Sequence, residues 1–314
     1  MGQMIIKVFA VLALAFLVSF GVFKGIPDNQ KNYLAGLNDK QDRIESLMGK
    51  GEPKMVLVGG SNVAFGLHSG MLEEAFDMPV ANMAIHAGLR YEYMVNQVWE
   101  TVEAGDVYVL CAEYSQMYEP LSTGGPIIYQ SLEVFPEGMN YVHQGNVLDQ
   151  LQFQGSSYIE IVQIKLKRTL GKFAGQAEKN AYQRSVFDVY GDIWSDLTLK
   201  SRYDGKDKHM DRNRGKLPSE DFVRITNDFA KHAESKGATV LFLFPAIAEA
   251  KWDAEVAEAT QAYLEQELDV AIVNDPAEYV MANDQFFDTK YHTTQAGRVV
   301  RTEKTISDLR EFIR

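Results

Sequence analysis

The chain predicts a three-layer α/β/α domain on a mostly parallel five-stranded sheet, preceded by one N-terminal transmembrane helix. Three observations carry that prediction. Five short apolar runs of strand length alternate with helical stretches. The strand, helix, strand spacing implies parallel pairing through right-handed crossovers. Residues Val8 to Phe23 (VFAVLALAFLVSFGVF) are uncharged and almost wholly apolar.

Met4 to Phe23 are twenty residues interrupted only by Lys7. At ~1.5 Å each they span ~30 Å, about one bilayer core. Lys7 can snorkel and Lys24 closes the other end. A cleaved signal peptide usually has a shorter apolar region and a small-x-small site, and no good site follows Phe20. A buried core helix is the third reading. Length and flanks favour an uncleaved anchor over residues 1–24. Lysines stand on both sides of it (Lys7; Lys24, Lys31 and Lys40), so charge does not choose the side on which the body lies.

Residues 25–53 are polar, with Leu34, Leu37, Ile44, Leu47 and Met48 at roughly helical spacing, and read as a stalk ending in a helix that docks on the body. The body, 54–314, begins with the apolar run Met55 to Val58, which stops at Gly59-Gly60. Val80 to Ile85 is another such run, Asp106 to Ala112 and Thr239 to Phe244 are β-rich and long enough for fully buried strands, and Val270 to Val273 makes a fifth. A helix over Arg90 to Ala104 carries Met94, Val95, Val98 and Val102 on one stripe and stops at Gly105. Ser219 caps another, with Phe222, Ile225 and Phe229 on its inner face and Gly237 at its end. Residues 115–218 break the alternation. They hold the turn-rich Ser122-Thr123-Gly124-Gly125-Pro126, a helix-like run from Tyr158 to Leu170, and polar stretches such as Lys206 to Lys216. This insertion is either a substrate cover over the strand ends or a structural elaboration.

The chain has 314 residues, 46% hydrophobic and 24% charged, with a formal net charge of −12. That acidic balance argues against nucleic acid as the main partner, because phosphate binding needs clustered Lys and Arg. A disulfide framework is excluded, since Cys111 has no partner in the chain. No His/Cys/carboxylate cluster has metal-ligand spacing, and no phosphate-cradling loop is followed by a Lys, so neither a metal nor another cofactor is expected.

In an α/β sheet the active site lies at the carboxyl ends of the strands. Gly59-Gly60-Ser61-Asn62 follows the first strand directly, and glycines there permit a tight turn that presents the Ser61 hydroxyl. The Ser61 amide opens the next helix, where orphan N–H groups can stabilise an oxyanion. A serine needs a base, and His292 is the natural candidate, with Asp288 four residues earlier to orient it. Of the other histidines, His68 and His86 lie near strand ends and could line the pocket. His143, His209 and His232 fall in the insertion or on a polar helix face.

These residues resemble the SGNH (GDSL-like) hydrolase superfamily, a flavodoxin-like α/β fold. Gly60-Ser61-Asn62 is similar to its first block. Asn82-Met83-Ala84-Ile85-His86-Ala87-Gly88 is similar to its second, in which Gly88 would donate its amide to the oxyanion. Asp288 and His292 are similar to its last, and the likeness covers roughly residues 54–314. The resemblance implies Ser61, His292 and Asp288 as catalytic residues, with an oxyanion hole of Ser61, Gly88 and Asn62. Asn82, Glu113, Tyr114 and Tyr291 are expected to bind substrate.

Two departures stand out. The usual Gly-x-Asn-Asp block is replaced by Cys111-Ala112-Glu113-Tyr114-Ser115, and losing one oxyanion donor can cost ~3–4 kcal/mol of transition-state stabilisation. Asp288 and His292 are four apart where three is common. With the anchor and the insertion, the chain resembles the membrane-anchored branch that works beside membrane-bound O-acyltransferases in polysaccharide O-acetylation and teichoic-acid D-alanylation. The segment Phe187-Asp188-Val189-Tyr190-Gly191-Asp192 resembles a Tyr-Gly-Asp segment of some members; a capped turn is the other reading. The resemblance implies acyl (acetyl) transfer or ester hydrolysis on a cell-envelope polysaccharide, at a bacterial inner or cytoplasmic membrane, with one span and an extracytoplasmic body. Tyr114, Tyr118 and Tyr129 would help cover the site. The alternative is a non-catalytic accessory of the same fold that binds glycan or an acyltransferase partner.

Overall fold

The computed structural model describes residues 2–121, 124–143, 145–173, 182–193 and 200–313. Helix α1 (Gly2–Gly25) precedes a one-turn 3₁₀ segment, Tyr33–Ala35, and α2 (Gly36–Leu47). Strand β1 (Met55–Gly59) leads into the single turn α3 (Ser61–Ala64) and then α4 (Ser69–Phe76). Next come β2 (Val80–Asn82), α5 (Tyr91–Trp99), β3 (Val107–Cys111) and the short α6 (Tyr114–Met117). The insertion contributes α7 (Pro126–Val134) and α8 (Val147–Phe173). The chain then closes with α9 (Glu220–Ser235), β4 (Thr239–Phe242), β5 (Ile247–Ala248), α10 (Ala254–Glu267), β6 (Ala271–Ile272), β7 (Val280–Met281) and α11 (Gln295–Leu309).

The five expected strands form one parallel sheet in the order β2-β1-β3-β4-β6. Strands β1 and β3 are buried along their whole length, which is why they read as unbroken apolar runs. Helix α5 packs with α9 and α4 with α11, completing a layer on each face. The strand order reverses between β1 and β3, and in open α/β sheets ligands bind at such a point. A second parallel pair, β5 with β7, was not legible in the sequence.

Several boundaries are shorter than expected. Strand β2 stops at Asn82 because the Asn82 side chain turns back to accept from the Ala84 N–H at 3.1 Å. Helix α5 stops at Trp99, where Thr101 Oγ1 donates to Val98 O at 2.8 Å; Met94, Val95, Val98 and Val102 are all buried. The Ser219 cap accepts from the Phe222 N–H at 3.1 Å. Gly237 follows α9 with φ of 82°.

Residues 5–25 of α1 are long and apolar enough to cross a membrane. None of its most apolar stretch is buried, so the core-helix reading does not hold. Its last turns meet α8: Ser19 Oγ and Tyr158 OH share a 2.8 Å hydrogen bond, and Lys165 Nζ donates to the Phe23 and Ile26 carbonyls at 2.8 Å. Helix α2 docks on the body. Leu34, Leu37, Ile44 and Leu47 are buried, and Tyr33 OH donates to Ile85 O at 2.6 Å. The segment thus ends in a docked helix as expected, joined by the turn at Tyr33, while residues 49–53 that follow are exposed.

In the insertion, Ser122 and Thr123 of the expected turn lie outside the described residues. The run from Tyr158 to Leu170 falls inside α8, which packs on α7. The Tyr-Gly-Asp segment is a capped turn: Asp188 Oδ1 accepts from the Tyr190 and Asp192 N–H groups, both at 2.9 Å. Asp192 is fully buried and holds Ser69 through its N–H (2.7 Å) and Oγ (2.6 Å). Tyr118 OH pairs with Thr260 Oγ1 at 2.6 Å and the Tyr129 ring packs on Phe153, so these two aromatics serve packing rather than the cleft described next.

Candidate active site

Ser61 is the first residue of α3, immediately beyond the end of β1. A Cβ on Gly60 would stand 3.0 Å from Ala87 Cα and Cβ, so glycine here lets the turn at 86–89 lie against the serine turn. Arg301, buried on α11, donates from Nη1 to Asn62 O at 2.5 Å and from Nη2 to Cys111 Sγ at 3.4 Å. It ties the last long helix to α3 and to the end of β3. Cys111 is fully buried, and burial pushes its thiol pKa up, as suits a strand residue.

Asp288 and His292 sit in a loop folded back on itself. Phe286 bridges Thr293 in antiparallel fashion, and the Phe287 N–H donates to His292 O at 2.7 Å. Thr289 Oγ1 accepts from the N–H groups of Tyr291 (3.3 Å) and His292 (3.1 Å). That turn absorbs the extra residue of the four-residue spacing and leaves His292 Nδ1 2.8 Å from Asp288 Oδ1. Three further residues hold the pair. Tyr182 OH donates to Asp288 Oδ2 at 2.6 Å, Arg202 Nη2 donates to the same oxygen at 3.1 Å, and Phe65 stacks on the imidazole at 4.0 Å with planes 6° apart. Burial raises the Asp288 pKa, but the hydrogen bonds from His292 and Tyr182 outweigh it and hold the carboxyl below its usual range. With Nδ1 engaged by a carboxylate, the tautomer that leaves Nε2 as acceptor is favoured.

An open cleft of about 330 Å³ lies above the switch point. Ser61, Glu113, Tyr291 and His292 line it, with His86 beside them and Asp207, Lys208 and Arg212 reaching in from the insertion. Asp288 supports His292 from behind. The Ser61 hydroxyl donates to Glu113 Oε1 at 3.4 Å rather than to His292. Burial raises the Glu113 pKa, opposed by His292, Lys290, the Asn62 N–H and the Ser61 hydroxyl. Burial, reinforced by His292, lowers His86 to about 4, so it is neutral near pH 7.

The other expected site residues are placed differently. Gly88 follows the cleft-lining His86 and Ala87, but its N–H donates to His86 Nδ1 at 2.9 Å. Asn62 is fully buried, and its Nδ2 is directed to Cys111 O and Sγ, both at 3.2 Å. Asn82 is fully buried, with Nδ2 bonded to Asp192 Oδ1 at 2.7 Å, where it locks the Tyr-Gly-Asp turn. Tyr114 packs against Phe244, with ring centres 6.1 Å apart. Nearness to a strand end does not fix the direction of a side chain, and these three point into the body.

The remaining histidines serve locally: His68 caps α4, His143 pairs with Glu92, His209 caps a 3₁₀ turn, and His232 stacks on Trp99. Tyr182, Arg202 and Phe65 were not anticipated. Tyr182 and Arg202 lie in the irregular insertion, and Phe65, four residues after Ser61, reads as an ordinary core aromatic.

No family model matches the chain, and no curated protein does. Among solved structures, the X-ray structure of the protein YxiM from Bacillus subtilis is similar with a TM-score of 0.37 and 12% identity, over 82% of this chain. This chain spans 56% of that protein's length.

Proposed function

We propose that the protein is a membrane-anchored, serine-dependent enzyme that hydrolyses or transfers an acyl (acetyl) ester on a cell-envelope polysaccharide, beside a membrane-bound O-acyltransferase. The observation that carries the acyl chemistry is the Asp288–His292 pair opening into the same cleft as Ser61. Rotation of the Ser61 side chain away from Glu113 would turn its hydroxyl toward His292; such hydrogen bonds are often unmade before substrate binds. Ser61 Oγ then attacks the acyl carbon, His292 takes its proton, and Asp288 steadies the imidazolium. The Ser61 N–H, at the start of α3 with no helical acceptor, is one oxyanion donor. The acyl group passes next to a sugar hydroxyl or to water. The open cleft and its Lys208 and Arg212 rim suit a polymeric acceptor.

A fluorophosphonate probe tests the nucleophile: wild type should label and Ser61→Ala should not. Mass spectrometry of surface glycan from deletion and Ser61→Ala strains then reads the acyl group. Reporter fusions after Lys54 should signal outside the cytoplasm, and a cytoplasmic signal would remove the envelope substrate. A non-catalytic, glycan- or partner-binding role is the second reading. It is favoured by the Ser61 hydroxyl resting on Glu113 and by the Gly88 N–H being held by His86. Unlabelled wild type together with normal glycan from the Ser61→Ala strain would establish it.

A further inference from the structure

Glu113 is the acidic side chain nearest the Ser61 hydroxyl, which donates to it. The loop after β3 carries Glu113, and the pairing of β1 with β3 brings it beside Ser61. Its Oε1 lies 3.4 Å from Ser61 Oγ, it is 7% exposed, and it lines the cleft with His292. The alternative donors are committed, Gly88 N–H to His86 and Asn62 Nδ2 to Cys111. A carbonyl attacked by Ser61 therefore develops its negative charge within reach of the Glu113 carboxyl. An ionised carboxylate would oppose that charge, whereas a neutral acid presents an O–H to it.

We infer that Glu113, kept as the neutral acid, donates its O–H to the oxyanion formed when Ser61 attacks the acyl carbon. The inference rests on the serine-nucleophile reading above. In the step, the Ser61 Oγ–C bond forms while the hydroxyl proton passes to His292 Nε2. The carbonyl π pair moves onto oxygen, which accepts the Glu113 hydrogen bond, and Glu113 keeps its proton throughout. Collapse restores the carbonyl and breaks the bond to the leaving oxygen, which takes the proton from His292.

The groups facing Glu113 come from α3, which brings the Ser61 hydroxyl and the Asn62 N–H, from the cleft rim, which brings Asp207, Lys208 and Arg212, and from three further elements. The loop before α11 brings His292, Lys290 and Tyr291, the end of β3 brings Cys111, and the 3₁₀ turn before α2 brings Tyr33. Burial is the largest influence and favours the neutral acid, while His292, Lys290, the Asn62 N–H and the Ser61 hydroxyl pull the other way.

The test is the rate of fluorophosphonate labelling of the full-length protein in detergent, from about pH 5 to about pH 9. Wild type should label more slowly toward alkaline pH as Glu113 ionises. Glu113→Gln, whose amide donates at every pH, should label within ~10-fold of wild type near neutrality and lose that decline. Glu113→Ala should be slower by ~100-fold, the usual cost of one oxyanion donor. A Gln variant with the wild-type decline, or one as slow as the Ala variant while its circular dichroism is native, overturns the role of Glu113 and leaves the nucleophile standing. Wild type unlabelled at every pH overturns the nucleophile and this inference with it.

Discussion

Gly59, the last residue of β1, is the register partner of Cys111, the last residue of β3. Two residues beyond each lie Ser61 and Glu113, so the parallel ladder itself sets these side chains against one another across the switch point. A Cβ on Gly59 would fall 2.5 Å from Cys111 O and 2.7 Å from Val63 Cγ2. The strand end and α3 can close only around a glycine.

Gly59→Ala should therefore displace α3 and slow Ser61 labelling, with a stability loss of ~1–3 kcal/mol from overpacking. Urea unfolding and labelling kinetics on the same preparation check this. Unchanged values for both would show that the turn tolerates the methyl group.

Asp288→Asn should cost far more activity than stability. It removes the charge beside His292 Nδ1 and disturbs the tautomer, and a loss of ~10³–10⁴-fold in the labelling rate is expected for an orienting carboxylate. Tyr182→Phe removes one of three hydrogen bonds to Asp288 and should cost only ~5–10-fold, the scale of a single bond. If Tyr182→Phe proves as damaging as Asp288→Asn, Tyr182 does more than position the pair.

Lys40 offers a pH test of the packing between α2 and the body. It is fully buried and donates from Nζ to Asn82 O at 2.7 Å and to Gly191 O, over the Phe187 ring. Burial, opposed by Asp192, Asp188 and Asp39, lowers its pKa from 10.5 to about 7. Between those values the unfolded chain holds the extra proton, so the Lys40 contribution to stability rises with pH across that window, by on the order of 1.4 kcal/mol per unit at most. Relative to Lys40→Met, wild type should gain stability in urea titrations from about pH 7 to about pH 9. A difference that stays constant over that range would show that Lys40 titrates normally.

The sheet was legible because buried parallel strands cannot alternate: Met55 to Val58 and Val107 to Ala112 are apolar on both faces, and glycines punctuate them. Ser61, Asp288 and His292 were legible because each sits in a local pattern with a chemical meaning. Asn82 and Tyr114 were misplaced because a strand end predicts neighbourhood, while side-chain direction depends on partners such as Asp192 and Phe244, far away in the chain.

The five strands of the main sheet, the apolar N-terminal helix and the local patterns that make Ser61, His292 and Asp288 candidates were thus legible in the sequence alone, since periodicity, length and turn chemistry are local properties. What only the tertiary structure decided is how distant segments meet. It set Ser61 against Glu113 rather than His292, and brought Tyr182, Arg202 and Phe65 around the Asp288–His292 pair. It also engaged the Gly88 amide with His86. Those relationships follow from strand register and from close packing of residues tens to hundreds of positions apart, which leave no periodic trace in the chain.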